Sequence, residues 1–103
     1  MEPIFETWRS ISGYPLYQIS SIGRVINIKR HTILKNYLTR DGYYEVALYL
    51  DNKSKHFRIN RLVAQEFITN PDNKLNVDHI DGDRLNNNIH NLRWATSSEN
   101  SRN

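Results

Sequence analysis

Between Val77 and Asn100 the chain reads VDHIDGDRLNNNIHNLRWATSSEN, and that order of residue types leaves few folds open. Asn76 to His79 is short and alternates apolar with polar, as a strand does. Ile80 to His90 is a polar run rich in Asp, Asn and Gly, whose side chains and backbone freedom favour turns over ladders. Asn91 to Ala95 returns to apolar alternation. Thr96-Ser97-Ser98-Glu99 then spells a capping box, in which hydroxyl and carboxylate each satisfy a backbone N–H at a helix start. The segment predicts strand, loop, strand, helix, with Asn100 in the first turn of the last element.

A change of period marks what precedes this ββα unit. In YYEVALYL, the residues Tyr44, Val46, Leu48 and Leu50 share one face of a strand entered from the Asp41-Gly42 turn. Asp51-Asn52-Lys53 turns the chain, and Lys55 to Ile59 returns with Phe57 and Ile59 inward and His56 and Arg58 outward. Ile59, Val63 and Phe67 then recur at helical spacing with Leu62 beside them, predicting a helix from Asn60 to Thr69. Asn70-Pro71-Asp72 ends it, because the residue before a proline avoids helical geometry. Further upstream, Tyr17–Ser20 and Arg24–Ile28 flank a Ser-Ile-Gly turn and form a hairpin. The expected fold is α+β: a small antiparallel β-rich module over 6–54, then a helix and the ββα unit within 55–103.

A chain of 103 residues buries only about 60–65% of the surface its unfolded form exposes, too little for a deep cavity of its own making. It has no cysteine, which excludes disulfide scaffolds and thiolate metal sites. No run approaches the roughly 20 apolar residues of a membrane span. The stretch MEPIFETWRS lacks the apolar core of a signal peptide. A cytoplasmic protein without a membrane partner is the expectation. The net charge of +3 is uneven. From Gly23 to Arg61 nine Lys/Arg stand against three acids, a net +6, whereas from Val77 onward three Arg stand against four acids. A basic first part beside a mildly acidic last part suits a polyanion-binding surface next to a site for a cation.

Two metal readings of the polar loop fail. An EF-hand starting at Asp81 would need Gly at its sixth position and Glu at its twelfth; Asn86 and Leu92 stand there. Zinc on His79 and His90 lacks cysteine partners and close histidine spacing. Strand geometry turns Asp78 and His79 to opposite sides, so they suit different tasks. Asp78 can hold a metal while His79 takes a proton from water. Asn100 can offer a carboxamide oxygen as second ligand, an all-oxygen set suited to Mg²⁺ or Mn²⁺. The plain alternatives are a strand-end ion pair at Asp78-His79, a turn residue at Asn91 and a solvated helix residue at Asn100. Asn86 to Asn88 read as loop formers, and Trp94 with Leu92 as core.

These residues carry a resemblance. The segment DHIDGDRLNNNIHNLRWATSSEN resembles the motif of HNH endonucleases of the phage and intron-encoded homing type, with the spacing His79-x11-Asn91-x8-Asn100. INRLVAQEFITNP is similar to the helix preceding that motif, and WRSISGYPLYQISSIGRVINI resembles a nuclease-associated N-terminal module. The resemblance implies a ββα-metal (His-Me finger) nuclease over 55–103 behind a β-rich DNA-binding module over 6–54. It implies His79 as general base, Asp78 and Asn100 as ligands of one divalent metal, and Asn91 as the residue that holds the His79 loop. The implied activity is metal-dependent hydrolysis of phosphodiester bonds in double-stranded DNA. One His and one metal build one hydrolytic centre, so a monomer is expected to nick one strand. A double-strand break would require a homodimer or two successive events. A phage or mobile-element origin goes with it. The alternative is an inactive DNA-binding module that kept the fold. Arg24, Lys29, Arg30, Arg40, Lys55, Arg58 and Arg61 are the expected phosphate contacts, joined by Arg93, which alternates outward.

Overall fold

Alternating side chains and tight turns build the first half. In the computed structural model, which describes residues 5–100 (Asn100 through its backbone), strands β1 (Trp8–Ile11), β2 (Tyr14–Ser20), β3 (Val25–Asn27) and β4 (Thr32–Ile33) form one antiparallel sheet in that order. A second sheet orders β5 (Tyr37–Leu38), β6 (Tyr44–Leu50) and β7 (Lys53–Arg58), also antiparallel. The β6–β7 turn has positive φ at Asp51 and Asn52, 51° and 63°, the pair of left-handed residues that a tight hairpin requires. Alternation in β6 sends Val46 and Leu48 fully inward. The β2–β3 hairpin appears where the sequence places it. Strand β1 has no expectation behind it, since WRSI is too short and mixed to show a period.

Helix α1 (Ile59–Phe67) begins directly after β7 and is the hub of the molecule. Its buried face of Ile59, Leu62, Val63 and Ala64 packs on strands of both sheets and on the ββα unit. The helix stops two residues short of the expected Thr69, because Ile68 has already turned to extended geometry while its N–H caps the carbonyl of Ala64. Strand β8 (Asn76–His79) then pairs antiparallel with β9 (Leu92–Ala95), and α2 (Ser97–Asn100) follows. Between β8 and β9, Ile89–Asn91 forms one 3-10 turn that takes the end of the expected loop and also Asn91, the expected first residue of the second strand. The capping box is present: Thr96 N–H donates to Glu99 Oε1 at 2.9 Å and Glu99 N–H to Thr96 Oγ1 at 3.2 Å. With a further bond from Lys74, these hold the Glu99 carboxyl down to about 2.

A single core runs through both parts. Ile11, Tyr17, Ile19, Val25, Val46 and Leu48 from the N-terminal strands meet Ile59, Leu62, Val63, Val77 and Leu92 in one cluster. Trp94 lies half-buried against it, its Nε1–H donating to the carbonyl of Ile68 at 3.0 Å. That bond ties β9 to the end of α1.

Candidate active site at the end of the eighth strand

Pairing of β8 with β9 fixes which side chains share a face. Asp78 stands opposite Arg93, and His79 opposite Leu92. Val77, His79 and Leu92 turn toward the core side and are all buried. Asn76 and Asp78 turn to the other side, where Asn76 Nδ2 donates to Ser97 Oγ at 3.1 Å and α2 packs on the strand pair. Asp78 and His79 thus occupy opposite faces of one short strand.

His79 is buried in a polar cradle. Its Nε2 lies 2.8 Å from Asn87 Oδ1, in a contact buried on both sides. A carboxamide oxygen only accepts, so with Asn87 Oδ1 facing the ring Nε2 is the donor of this contact. The ring of Tyr43 lies 6.1 Å away, centroid to centroid, at a tilt of 44°. Tyr43 is itself flanked by two guanidinium groups, Arg58 at 4.0 Å and Arg84 at 5.1 Å, close enough for cation–π attraction.

Asn91 is the clasp of the loop. Its Oδ1 accepts from Asp81 N–H at 3.0 Å, and its Nδ2 donates to Asp81 Oδ1 at 2.9 Å and to the carbonyl of Asn86 at 2.8 Å. Its backbone carbonyl accepts from Ile80 N–H at 2.8 Å. The Asp81 carboxylate gathers the same loop, accepting from Asn86, the backbone of Asp83 and Asn91. These bonds favour its charged form and hold it below the ordinary 3.8.

The resemblance implies a divalent metal, and the donor chemistry on the α2 face fits one. The Asp78 side chain is only 3% exposed and its Oδ2 accepts from Arg93, Nε and Nη2 each at 2.8 Å. No group of three His, Asp or Glu gathers among the described residues. One carboxylate with one carboxamide is nonetheless a set that Mg²⁺ or Mn²⁺ uses, because such ions keep several waters and borrow phosphate oxygens. The backbone of Asn100 lies in α2, which packs on β8; its side chain is outside the described residues.

The cations expected on DNA divide into two groups. Lys29, Arg30 and Arg40 are exposed and form no ion pair among the described residues. Lys55 is exposed too, its Nζ 5.4 Å from the Phe57 ring. The others are engaged: Arg24 bidentate with Glu6, Arg58 with Asp41, Arg93 with Asp78, and Arg61 with the carbonyl of Leu75 at 2.8 Å. Arg30 also lines a cavity of about 270 Å³ between the two N-terminal sheets, with Lys35, Tyr37 and Tyr49. Sequence reasoning missed Asn87. It stands in the middle of three asparagines, and nothing in that run separates the buried one from its neighbours. Asn88 is spent on the 3-10 turn, accepting from His90 N–H at 3.0 Å, and Asn86 on Asp81 at 2.9 Å.

Comparison with known proteins agrees with this architecture. Residues 59–102 match the HNH endonuclease family, and residues 6–49 match the NUMOD4 motif. The DNA endonuclease I-HmuI of Bacillus phage SP01 is 42% identical over 94 residues, covering 90% of this chain and 54% of that protein. An HNH endonuclease of Acanthamoeba polyphaga mimivirus, L245, is 41% identical over 93 residues, covering 90% of this chain and 28% of its own length. The solved structure described as "DNA binding and cleavage by the HNH homing endonuclease I-HmuI" superposes with a TM-score of 0.88 at 40% identity, over 93% of this chain and 56% of that one. The chain therefore spans only part of the length of these relatives. Among the described residues no helix is long and apolar enough to cross a membrane.

Proposed function

The chain belongs to the HNH endonucleases through residues 59–102, with a NUMOD4 motif ahead of them, and from that membership we propose that it is a metal-dependent DNA endonuclease. It hydrolyses phosphodiester bonds and, having one hydrolytic centre per chain, nicks one strand as a monomer; a double-strand break requires a homodimer or two successive events. The observation that carries this reading is the pair Asp78 and His79 on opposite faces of one strand end, each buried and each with a defined partner.

His79, with Nε2–H donated to Asn87, presents Nδ1 as the acceptor for the proton of the attacking water. Asn91 keeps the loop that carries Asn87 and Asp81 in register with the strand end. Asp78 and Asn100 would hold one Mg²⁺ or Mn²⁺, which as a Lewis acid stabilises charge developing on the phosphate and the leaving oxygen. Lys29, Arg30, Arg40 and Lys55 neutralise flanking phosphates of double-stranded DNA. Arg24, Arg58, Arg61 and Arg93 contribute there only by exchanging the partners they now hold. An intracellular, phage- or mobile-element-borne setting goes with this reading, in keeping with the phage and viral relatives.

Incubation of supercoiled plasmid with the protein and Mg²⁺ tests it. Open circles should form before linear DNA, and excess chelator should stop the reaction. An intact plasmid would leave the alternative, a DNA-binding module that has lost cleavage. Undiminished nicking in chelator would remove the metal from the mechanism.

A further inference from the structure

The turn between β2 and β3 belongs to the N-terminal part, yet it reaches the loop that carries Asn87. Gly23 adopts a φ of +89°, and a Cβ built on it would lie 2.9 Å from Cβ of Asn87 and 3.1 Å from Cγ2 of Ile59. The Asn87 backbone is therefore laid directly on this glycine. Two residues further on, Ile89 N–H donates to the carbonyl of Ser21 at 2.8 Å. The turn has its own internal support. Ser20 is fully buried, its Oγ accepts from Arg24 N–H at 3.0 Å, and its carbonyl accepts from Gly23 N–H at 3.1 Å.

We propose that this turn, residues 20–24, is a positioning element of the nuclease site: it presses and bonds the loop so that Asn87 Oδ1 meets His79 Nε2. The inference rests on the reading of His79 as the base. Gly23 sets how close the loop approaches, and the Ser21 carbonyl sets its register. Asn87 converts both into one tautomer and one ring orientation for His79. The same N-terminal part supplies Tyr43 as a second wall beside the imidazole. The basic module then does more than bind DNA, because its turn fixes where the loop places Asn87 against the imidazole. A displacement of about 1 Å in a reacting group can cost up to about 10²-fold in rate.

The test uses the full chain with three substitutions. Gly23→Ala adds the Cβ that has no room and a side chain at positive φ. Ile89→Pro deletes the donor to Ser21 and also trims a side chain packed against the core, so Ile89→Val, which keeps the donor and loses one methylene, serves as its packing control. Proline suits the first position of the 3-10 turn, and the preceding Asn88 is already extended, with ψ 139°. Asn87→Leu removes the acceptor while keeping the volume. Gly23→Ala, Ile89→Pro and Asn87→Leu should each lower the single-turnover rate on saturating DNA by about 10- to 100-fold, with DNA affinity within about twofold of the parent. Asn87→Asp, which keeps an acceptor oxygen, should recover most of what Asn87→Leu loses. In the metal-free protein with neutral imidazole, ¹⁵N shifts should report the Nε2–H form of His79 in the parent and a tautomer mixture in the variants. If Gly23→Ala does not fold, Ile89→Pro decides the coupling. Parental rates, or lost rates with an unchanged tautomer, would overturn the proposal. A parent that binds but never cuts DNA would sink the nuclease reading instead, and the tautomer measurement would still judge this one.

Discussion

Arg93 and Asp78 form the ion pair on which the metal reading bears most directly at the level of single residues. The carboxylate is almost wholly buried while Arg93 is 54% exposed. Removing one partner of a buried pair costs roughly 3–5 kcal/mol, but water reaches this arginine and can take over part of its role. Arg93→Ala should therefore cost less, about 1–3 kcal/mol. The variant should also gain more from Mg²⁺ than the parent does, because the guanidinium no longer competes for Oδ2. Thermal melts with and without Mg²⁺ read both effects; an equal or smaller Mg²⁺ shift in Arg93→Ala would mean that Asp78 is not where the ion binds. Asp81 offers a pH test. Its folded pKa is depressed below 3.8, so its contribution to stability is present above that value and fades as pH falls through the folded pKa. Asp81→Asn should make the acid limb of the stability curve shallower below pH 3.8. Glu6, Asp41 and Glu99 are depressed as well, so the limb should persist in part.

Elements differ in how openly their residues declare them. Strand β8 and the capping box before α2 are each written in a local pattern and lie where that pattern puts them. The β6 face is buried at Val46 and Leu48, while Leu50 at the strand end is exposed because the hairpin carries it past the core. Helix α1 is legible in its spacing but ends early, since its last turn is decided by tertiary contacts of Ile68 and Trp94 and not by Pro71. The short strands β1, β4 and β5 carry no readable period, because pairing with a neighbour and not their own composition makes them strands. The site divides the same way. Asp78 and His79 follow from alternation on one strand, while Asn87 depends on Gly23, 64 positions away in the chain. Since α1 packs on β1, β2, β6, β7, β8 and β9, Leu62→Ala should destabilise the protein by about 2–5 kcal/mol. Urea unfolding would reveal it, and a loss under about 1 kcal/mol would mean that the helix is not the hub described.

At the scale of the whole molecule, the two sequence families share one core, from Ile11 and Val25 to Val77 and Leu92. Heating should therefore unfold them together, with tryptophan fluorescence and circular dichroism tracing a single transition; two separated transitions would show that the parts are independent. DNA affinity should draw on the exposed cations of the first half. The triple replacement Lys29→Ala, Arg30→Ala and Arg40→Ala should flatten the salt dependence of binding, by about 0.9 in log–log slope for each phosphate no longer neutralised. It should leave the rate on saturated DNA almost unchanged, because those side chains are assigned to flanking phosphates and not to the proton transfer at His79. An unaltered slope would move the DNA path elsewhere on the surface. The most direct measurement compares parent and His79→Ala in single turnover, on saturating DNA with Mg²⁺. The expected result is a rate lower by roughly 10²–10⁴, the worth of a positioned general base, at a DNA affinity within a few-fold of the parent. Parental nicking by His79→Ala would contradict the assignment of His79 as the residue that takes the proton.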